Sequence, residues 1–297
     1  MESIALFLNP AAGRRRAGRL DNKLVELFSE NGVPVALNLS TDCGDLETRI
    51  LAHCQAGGGN IIVAGGDGSV HEAVNGIMHA GTDTAFGLVP VGTGNDFAKA
   101  CDIPLDWERA ATELAARIRS GNSLCRIDVG RMNDRYFANG AGIGFDAKVN
   151  RIARKYRWPI GDLVYLVAVL EGLWDGVITP RVTMTWDEQR YSGAVTLANV
   201  SNGPWVGGMF HIAPGARNDD GRFDLVFAEP VSRLRVLALL PKLIRGTHLA
   251  AAEIHAAPLR RFSLQADAPV PSHLDGEVQP MQTAFEIELL EGAVTVC

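Results

Sequence analysis

The chain predicts an α/β domain built on a parallel sheet, followed by a second, mainly antiparallel β domain interrupted by helices. Two observations carry this. From residue 4 to residue 120 short apolar runs alternate with helix-period segments, the grammar of βαβ units. After about residue 124 the pattern turns strand-rich: Val182, Met184 and Trp186 alternate with Thr183 and Thr185, and Phe285, Ile287 and Leu289 with Glu286 and Glu288. A chain of 297 residues is long for one core, so domains at 1–123 and 124–297 are expected, with the last residues able to pack back on the first domain.

In the first domain the apolar runs 4–8, 33–39, 60–64 and 85–89 predict strands, and 17–30, 45–55, 69–79 and 107–120 predict helices. Connections between parallel strands should be right-handed crossovers. In the second domain two helical insertions are expected, at 145–174 and 232–245. The sequence contains no internal repeat and no low-complexity tract.

Composition narrows the function classes. A hydrophobic share of 47% with 21% charged residues excludes a disordered chain, and 32 glycines indicate many tight turns. A net charge of −6 excludes global attraction to nucleic acid or anionic lipid, leaving only local patches. Cys43, Cys54, Cys101, Cys125 and Cys297 are scattered and form no Cys-x-x-Cys pair, which favours free thiols in a reducing compartment. Residues 1–8 lack the basic start and long apolar core of a signal peptide, and the stretch 163–174 is interrupted by Glu171 and too short to span a bilayer. A soluble, cytoplasmic protein is expected.

Two glycine-rich turns each follow a predicted buried strand: Gly65-Gly66-Asp67-Gly68-Ser69 and Pro90-Val91-Gly92-Thr93-Gly94-Asn95-Asp96-Phe97. Both therefore fall at the carboxyl edge of one sheet, where ligands of open α/β sheets bind. Glycines there let backbone N–H groups approach an anion, and the following helix adds partial positive charge. Asp67 among such donors would repel a phosphate unless Mg²⁺ neutralises it, with Glu72 one turn on able to join; the alternative is that Asp67 caps the helix. Asn95 or Asp96 either contributes to the site or caps the helix begun by Phe97 and Ala98, and the two roles can coexist. Neither turn carries a Walker lysine.

Other groups are weaker by themselves. Asn9-Pro10-Ala11-Ala12-Gly13 with Arg14, Arg15 and Arg16 reads as a triphosphate-binding turn or as a plain strand-to-helix turn with solvated arginines. Asp275-Gly276-Glu277 is an ordinary hairpin turn unless the fold carries Glu277 to an attacking hydroxyl. The oxygen-rich segment 216–222 reads as a turn holding Mg²⁺ or Ca²⁺, or as a hydrated hairpin. Lys148, Arg151, Arg154, Lys155 and Arg157, interleaved with Tyr156 and Trp158, form a basic segment suited to anionic headgroups or to plain solvation. No second basic stripe extends it, so nucleic acid is not an expected partner. No His-Glu-x-x-His and no Gly-x-Ser-x-Gly occurs.

Taken together and in order, Asn9-Pro10-x-x-Gly13, Gly65-Gly66-Asp67-Gly68-Ser69, Pro90-x-Gly92-Thr93-x-Asn95-Asp96-Phe97-Ala98 and Asp275-Gly276-Glu277 resemble the diacylglycerol kinase catalytic-domain family, in particular its soluble bacterial lipid kinases. The resemblance covers nearly the whole chain. It implies a Rossmann-like nucleotide-binding domain related to NAD kinase and phosphofructokinase, a C-terminal β-sandwich, and an active site between them. It further implies that Asn9, Gly66, Asp67, Gly68, Ser69, Val70, His71, Glu72, Thr93 and Asn95 bind ATP, with Ser40 or Thr41 touching the nucleotide. Glu277 would be the catalytic base, with Asp275 of the same motif a second catalytic residue.

Asp67, Asp96 and Asp128 resemble the family's aspartates that organise metal and water near the phosphates. The Asp220 turn is similar to its structural Mg²⁺ site, where Arg217 and Arg222 would give only backbone carbonyls. Ser69 stands where threonine is usual, keeping a hydroxyl, and His71 where asparagine is common.

The expected activity is ATP- and Mg²⁺-dependent phosphorylation of a membrane lipid hydroxyl, by a cytoplasmic enzyme that contacts the bilayer peripherally through the basic segment and the apolar loop 204–210. Oligomeric state stays open, a homodimer among the options. Two rivals remain: an NAD kinase-like activity with Asp67 as base, and a nucleotide- or lipid-binding regulator without turnover.

Overall fold

The computed structural model describes residues 3–121, 124–156 and 163–297. The chain divides into two compact units, Met1–Ile127 with Gly292–Cys297, and Asp128–Glu291. All five cysteines are free thiols.

The first unit is a parallel α/β sheet. Its elements run β1 (Ile4–Leu8), α1 (Ala12–Arg15), α2 (Asp21–Glu30), β2 (Val35–Leu39), α3 (Asp45–Gln55), β3 (Ile61–Gly65), α4 (Asp67–Ala80), β4 (Phe86–Pro90), α5 (Asp96–Ala100) and α6 (Trp107–Ser120). β1 pairs in parallel with β2 on one side and β3 on the other, and β3 pairs in parallel with β4. β3 and β4 are buried at every position, as expected of central parallel strands covered on both faces. Leu6, Leu8, Leu24, Phe28, Ile62 and Leu114 anchor the core beneath α2 and α6. Local chemistry sets the ends of α6: the Asp106 carboxylate accepts from the Arg109 N–H at 2.9 Å, and Gly121 closes the helix at φ 64°.

Three expected boundaries move, the first being the start of β2, which shifts from 33 to Val35. The helix at 17–30 divides into a 3₁₀ turn, Ala17–Arg19, and α2. The helix expected at 69 begins at Asp67, because the glycine turn is already its first turn. Gly13, Arg14 and Arg15 all have positive φ (55°, 61° and 68°), so the segment after β1 is a tight left-handed turn more than a helix.

The second unit is mainly antiparallel. It contains β5 (Cys125–Met132), which begins in the first unit, then β6 (Arg135–Phe137), β7 (Gly140–Gly144), α7 (Phe145–Ala153), α8 (Leu163–Asp175), β8 (Arg181–Trp186), β9 (Gln189–Ala194), β10 (Leu197–Ser201), β11 (Phe223–Ala228), α9 (Arg233–Ile244), β12 (Ile254–Leu259), β13 (Arg261–Leu274) and β14 (Glu277–Val296). The insertion expected at 145–174 is thus two helices, and residues 157–162, with the predicted basic and aromatic pair Arg157 and Trp158, lie outside the described residues. The first half of β13 pairs with β8 and its second half with β7, with register shifts between Gln265 and Ser272. Such an irregularity lets one strand serve two sheet faces. Phe137, Met184, Phe223, Phe262, Leu264 and Phe285 fill the space between them. The final residues of β14 return to the first unit, where Val296 pairs in parallel with Phe86.

Candidate active site

In the first unit, Asn9, Ser40, Gly66 and Val91 directly follow the carboxyl ends of β1, β2, β3 and β4. β1 lies between β2 and β3, so the crossovers diverge there and leave an opening at the carboxyl edge. Asn9 spans it: its backbone N–H donates to Ala64 O at 3.1 Å and its Nδ2 to Ser69 Oγ at 3.2 Å. The Val91 N–H donates to Gly65 O at 2.9 Å, tying the two glycine turns together.

Glycine is required here for close approach. A Cβ at Gly66 would lie 2.9 Å from the Cα of Gly92, and one at Gly92 would collide with the Cα of Gly66. A Cβ at Gly13 would strike the carbonyl oxygen of Val91. Three loops therefore pack backbone against backbone at the start of α4. That helix has Gly66 at its N-cap and no side-chain cap, so its N-terminal partial positive charge is left for an anion. Its one first-turn carboxylate is turned elsewhere: Asp67 Oδ1 accepts from the Phe97 N–H of α5 at 3.0 Å. Asn95, left-handed at φ 50°, receives the Gly92 N–H on its Oδ1 at 3.0 Å. Asp96 pairs with Lys99 at 3.1 Å, and Thr93 is exposed at the tip of the turn.

Several expected contacts are revised by burial and bonding. Ser69, Val70 and His71 are each 2% exposed, and Asn75 Nδ2 donates to the His71 carbonyl at 2.8 Å. The Val70 and His71 side chains thus belong to the interior of the unit, so a nucleotide would meet this segment through its backbone. Glu72 Oε2 accepts from the N–H groups of Leu46 and Glu47 at 3.1 and 3.3 Å, so this oxygen serves the N-terminus of α3. Ser40 is buried, with its N–H on Leu8 O, whereas Thr41 is exposed and bonds Asp45 through both its N–H and its hydroxyl.

In the second unit the Asp275-Gly276-Glu277 turn is held from four directions. Asp275, at φ 50°, accepts from the N–H groups of Ala138, Asn139 and Gly140 at 3.0, 2.8 and 3.0 Å. A carboxylate that accepts from three amides anchors the turn, and with it the place of Glu277. Asn150 Nδ2 donates to Gly276 O at 2.6 Å, and the Gly276 N–H donates to His273 Nδ1 at 3.3 Å. Glu277 Oε2 pairs with Arg154 Nη2 at 2.7 Å. Motif reading does not reach Asn150 or His273; the four-residue spacing of Asp146, Asn150 and Arg154 along α7 and its C-cap hints at Asn150, and no local signal marks His273.

The turn at 217–222 gathers around Asp128. Asp128 Oδ2 accepts from the Gly221 N–H at 2.7 Å, and the Asp128 N–H donates to Asn218 O at 2.6 Å. Asp220 Oδ2 receives Arg222 Nε at 3.0 Å, while Asp220 Oδ1 is buried without a hydrogen-bond partner among the described residues. Burial, and then the charge of Asp220, push the Asp224 carboxyl above the ordinary carboxylate range, while Arg222 opposes the shift. Uncompensated oxygen charge of this kind suits a hard divalent cation. No group of three or more His, Cys, Asp or Glu side chains forms a metal site among the described residues, so backbone carbonyls and water would have to complete the coordination.

The basic segment is largely spent internally. Arg154 is on Glu277, Lys155 pairs with Glu171 at 3.3 Å, and Lys148 Nζ donates to the Gly172 and Gly176 carbonyls that end α8. The loop at 204–210 is also committed, with Trp205 stacked on His211 at 4.1 Å. The described residues contain no helix long and apolar enough to cross a membrane.

The first unit thus presents glycine turns and an uncapped helix N-terminus at the carboxyl edge of its sheet, features that suit a phosphate-bearing ligand. Residues 3–132 match the diacylglycerol kinase catalytic domain, and residues 140–297 match the YegS C-terminal NAD kinase beta sandwich-like domain. The chain belongs to this family of lipid kinases. It is 27% identical over 296 residues to a diacylglycerol kinase of Mycobacterium tuberculosis, covering 96% of this chain and 94% of the relative. It is 30% identical over 261 residues to a YegS-like lipid kinase of Xanthomonas oryzae pv. oryzae, covering 85% and 83%. The crystal structure of a diacylglycerol kinase from Bacillus anthracis has the same fold, with a TM-score of 0.75 at 21% identity over 99% of this chain and 96% of that one.

Proposed function

We propose that the chain transfers the γ-phosphoryl group of ATP to the free hydroxyl of a membrane lipid, diacylglycerol or a relative such as phosphatidylglycerol or a sphingoid lipid. The observation that carries this reading is the packing of the Asn9, Gly66 and Gly92 loops around the uncapped start of α4, a site shaped for phosphate. Relatives named diacylglycerol kinase and YegS-like lipid kinase support the lipid as acceptor.

In the proposed step Glu277 takes the proton of the lipid hydroxyl, the oxygen bonds to the γ-phosphorus, and the bond from that phosphorus to the β–γ bridging oxygen breaks, releasing ADP. The amides of the two glycine turns hold the phosphates. Bound Mg²⁺, with Asp67, Asp96 and Asp128 as the expected nearby carboxylates, would neutralise charge on the phosphoryl oxygens. A second cation would be held by Asp220 with the carbonyls of Arg217 and Arg222. The commitment of Asp67 Oδ1 to the Phe97 amide favours Glu277 over Asp67 as base.

Peripheral contact with the bilayer belongs to the same reading, and its surface shifts away from the basic segment. Leu163, Leu170 and Trp174 share one face of α8, and Leu234, Leu237 and Ile244 one face of α9. All six are exposed, Trp174 by 84% and Leu234 by 79%, and both helices pack on one apolar cluster through their other faces. Arg233, Lys242 and Arg245 flank the α9 stripe, so the face combines apolar area with basic residues.

Labelled ATP and Mg²⁺ incubated with diacylglycerol, phosphatidylglycerol and a sphingoid base in mixed micelles, and with NAD in solution, tests the assignment. Label on a lipid that disappears with Glu277→Gln is the expected result. Label on NAD alone would transfer the assignment to a soluble nucleotide kinase, and no labelled product would leave a binding regulator.

A further inference from the structure

Three polar residues of α7 and its C-cap, Asp146, Asn150 and Arg154, lie four apart and so form a single stripe down the helix and its C-terminal turn. Each member reaches a different part of the turn that carries Glu277. Asp146 Oδ2 lies 3.6 Å from His273 Nε2 and also accepts from Asn199 Nδ2 at 3.3 Å, while Ser201 Oγ donates to Asn199 Oδ1 at 2.6 Å behind it. His273 is 2% exposed, and because its Nδ1 accepts the Gly276 N–H, its proton sits on Nε2, facing Asp146. Asn150, 5% exposed, holds the Gly276 carbonyl. Arg154 holds the Glu277 carboxylate.

Gly142 of β7 makes the first of these contacts possible. A Cβ there would collide with both Asp146 Oδ2 and His273 Nε2. The sequence therefore keeps a bare backbone where the carboxylate and the imidazole meet.

We infer that Asp146, Asn150 and Arg154 are positioning residues for Glu277, and that Arg154 in particular fixes the carboxylate so that one oxygen is held and the other is presented to the acceptor hydroxyl. This rests on Glu277 being the base. Glu277 is only partly buried and has three side-chain torsions, so without a partner its carboxylate would sample several rotamers. Arg154 engages Oε2, and Oε1 makes no hydrogen bond among the described residues. A base must stand within hydrogen-bond reach of its proton, and misplacement by about 1 Å costs on the order of a hundredfold in rate. A guanidinium presents a planar fork that an ammonium copies only as a point charge, so lysine should restore the attraction and only part of the alignment.

The test is a double-mutant cycle on steady-state phosphorylation of diacylglycerol in mixed micelles, using Arg154→Met, Arg154→Lys, Glu277→Gln and Arg154→Met combined with Glu277→Gln. The expected result is that Arg154→Met lowers kcat on the order of tenfold or more with KM for ATP and melting temperature unchanged, that Arg154→Lys recovers part of the loss, and that Arg154→Met has no further effect once Glu277 is Gln. Wild-type kcat in Arg154→Met beside an impaired Glu277→Gln would overturn the positioning part of Arg154 while leaving the base in place. Equal losses in both backgrounds would also overturn it, since Arg154 would then act elsewhere. Full activity of Glu277→Gln would instead remove the base assignment, and the inference with it.

Discussion

The carboxylate of Asp67 accepts the backbone N–H of Phe97 at 3.0 Å, so the first residue of one helix caps the start of another 30 positions on. The bond closes the two glycine turns into one unit. It also explains how α4 keeps an uncapped N-terminus although an aspartate opens it.

This dual placement separates structural from chemical roles at Asp67. Asp67→Asn keeps an acceptor for the Phe97 amide and should leave the melting temperature nearly unchanged, whereas Asp67→Ala should cost about 1 kcal/mol of stability, the usual loss for a helix cap. If the carboxylate charge also serves the phosphates, Asp67→Asn loses about tenfold or more of kcat, ~1.4 kcal/mol in the barrier. Thermal melts beside initial rates check both; an active Asp67→Asn restricts the residue to capping.

At the Asp220 turn, the raised Asp224 carboxyl gives a signed pH dependence. An acid held above its ordinary value binds more protons folded than unfolded, so in metal-free protein this group favours folding at low pH and loses that contribution as pH rises above the carboxylate range. Millimolar Mg²⁺ should raise the melting temperature at neutral pH and much less in acid, where Asp224 is protonated. Asp220→Asn should abolish the shift; an equal shift in that variant would place the cation elsewhere.

Acid lability should come from the histidine pair in the second unit. Burial holds His211 and His248 below the ordinary imidazole value, with His211 adding to the effect on His248 and the Ile212 carbonyl opposing it. The unfolded chain then binds protons that the folded chain excludes, so their contribution is intact above pH ~6.5 and is lost as pH falls through the lower folded values. Melting temperature should drop below about pH 6.5, and His248→Gln should flatten that slope. A slope unchanged in the variant would assign the lability to other groups.

The exposed stripes of α8 and α9 predict a membrane phenotype. Trp174→Ser together with Leu234→Ser should weaken sedimentation with vesicles containing phosphatidylglycerol and lower activity on vesicle-borne diacylglycerol, with activity on a short-chain soluble diacylglycerol retained. Unchanged sedimentation would leave these residues as plain surface.

What the sequence determined by itself is the local part of this protein. Apolar runs ended by glycine turns specify buried strands and what stands at their carboxyl ends, because periodicity and the steric freedom of glycine act over a few residues. Hence β1 to β4, α3 and α6 fall within a residue or two of expectation, the start of β2 moving furthest, and the sequence places the Asn9, Gly66 and Gly92 loops at strand carboxyl ends.

Which partner each side chain took depended on contacts between residues far apart in the chain. Asp67 caps α5, Glu72 serves α3, Asp275 collects three amides from 138–140, and Arg154 leaves the expected basic face for Glu277, 123 positions away. A carboxylate or guanidinium binds whatever complementary group the fold delivers within about 3 Å, and no local pattern records that delivery.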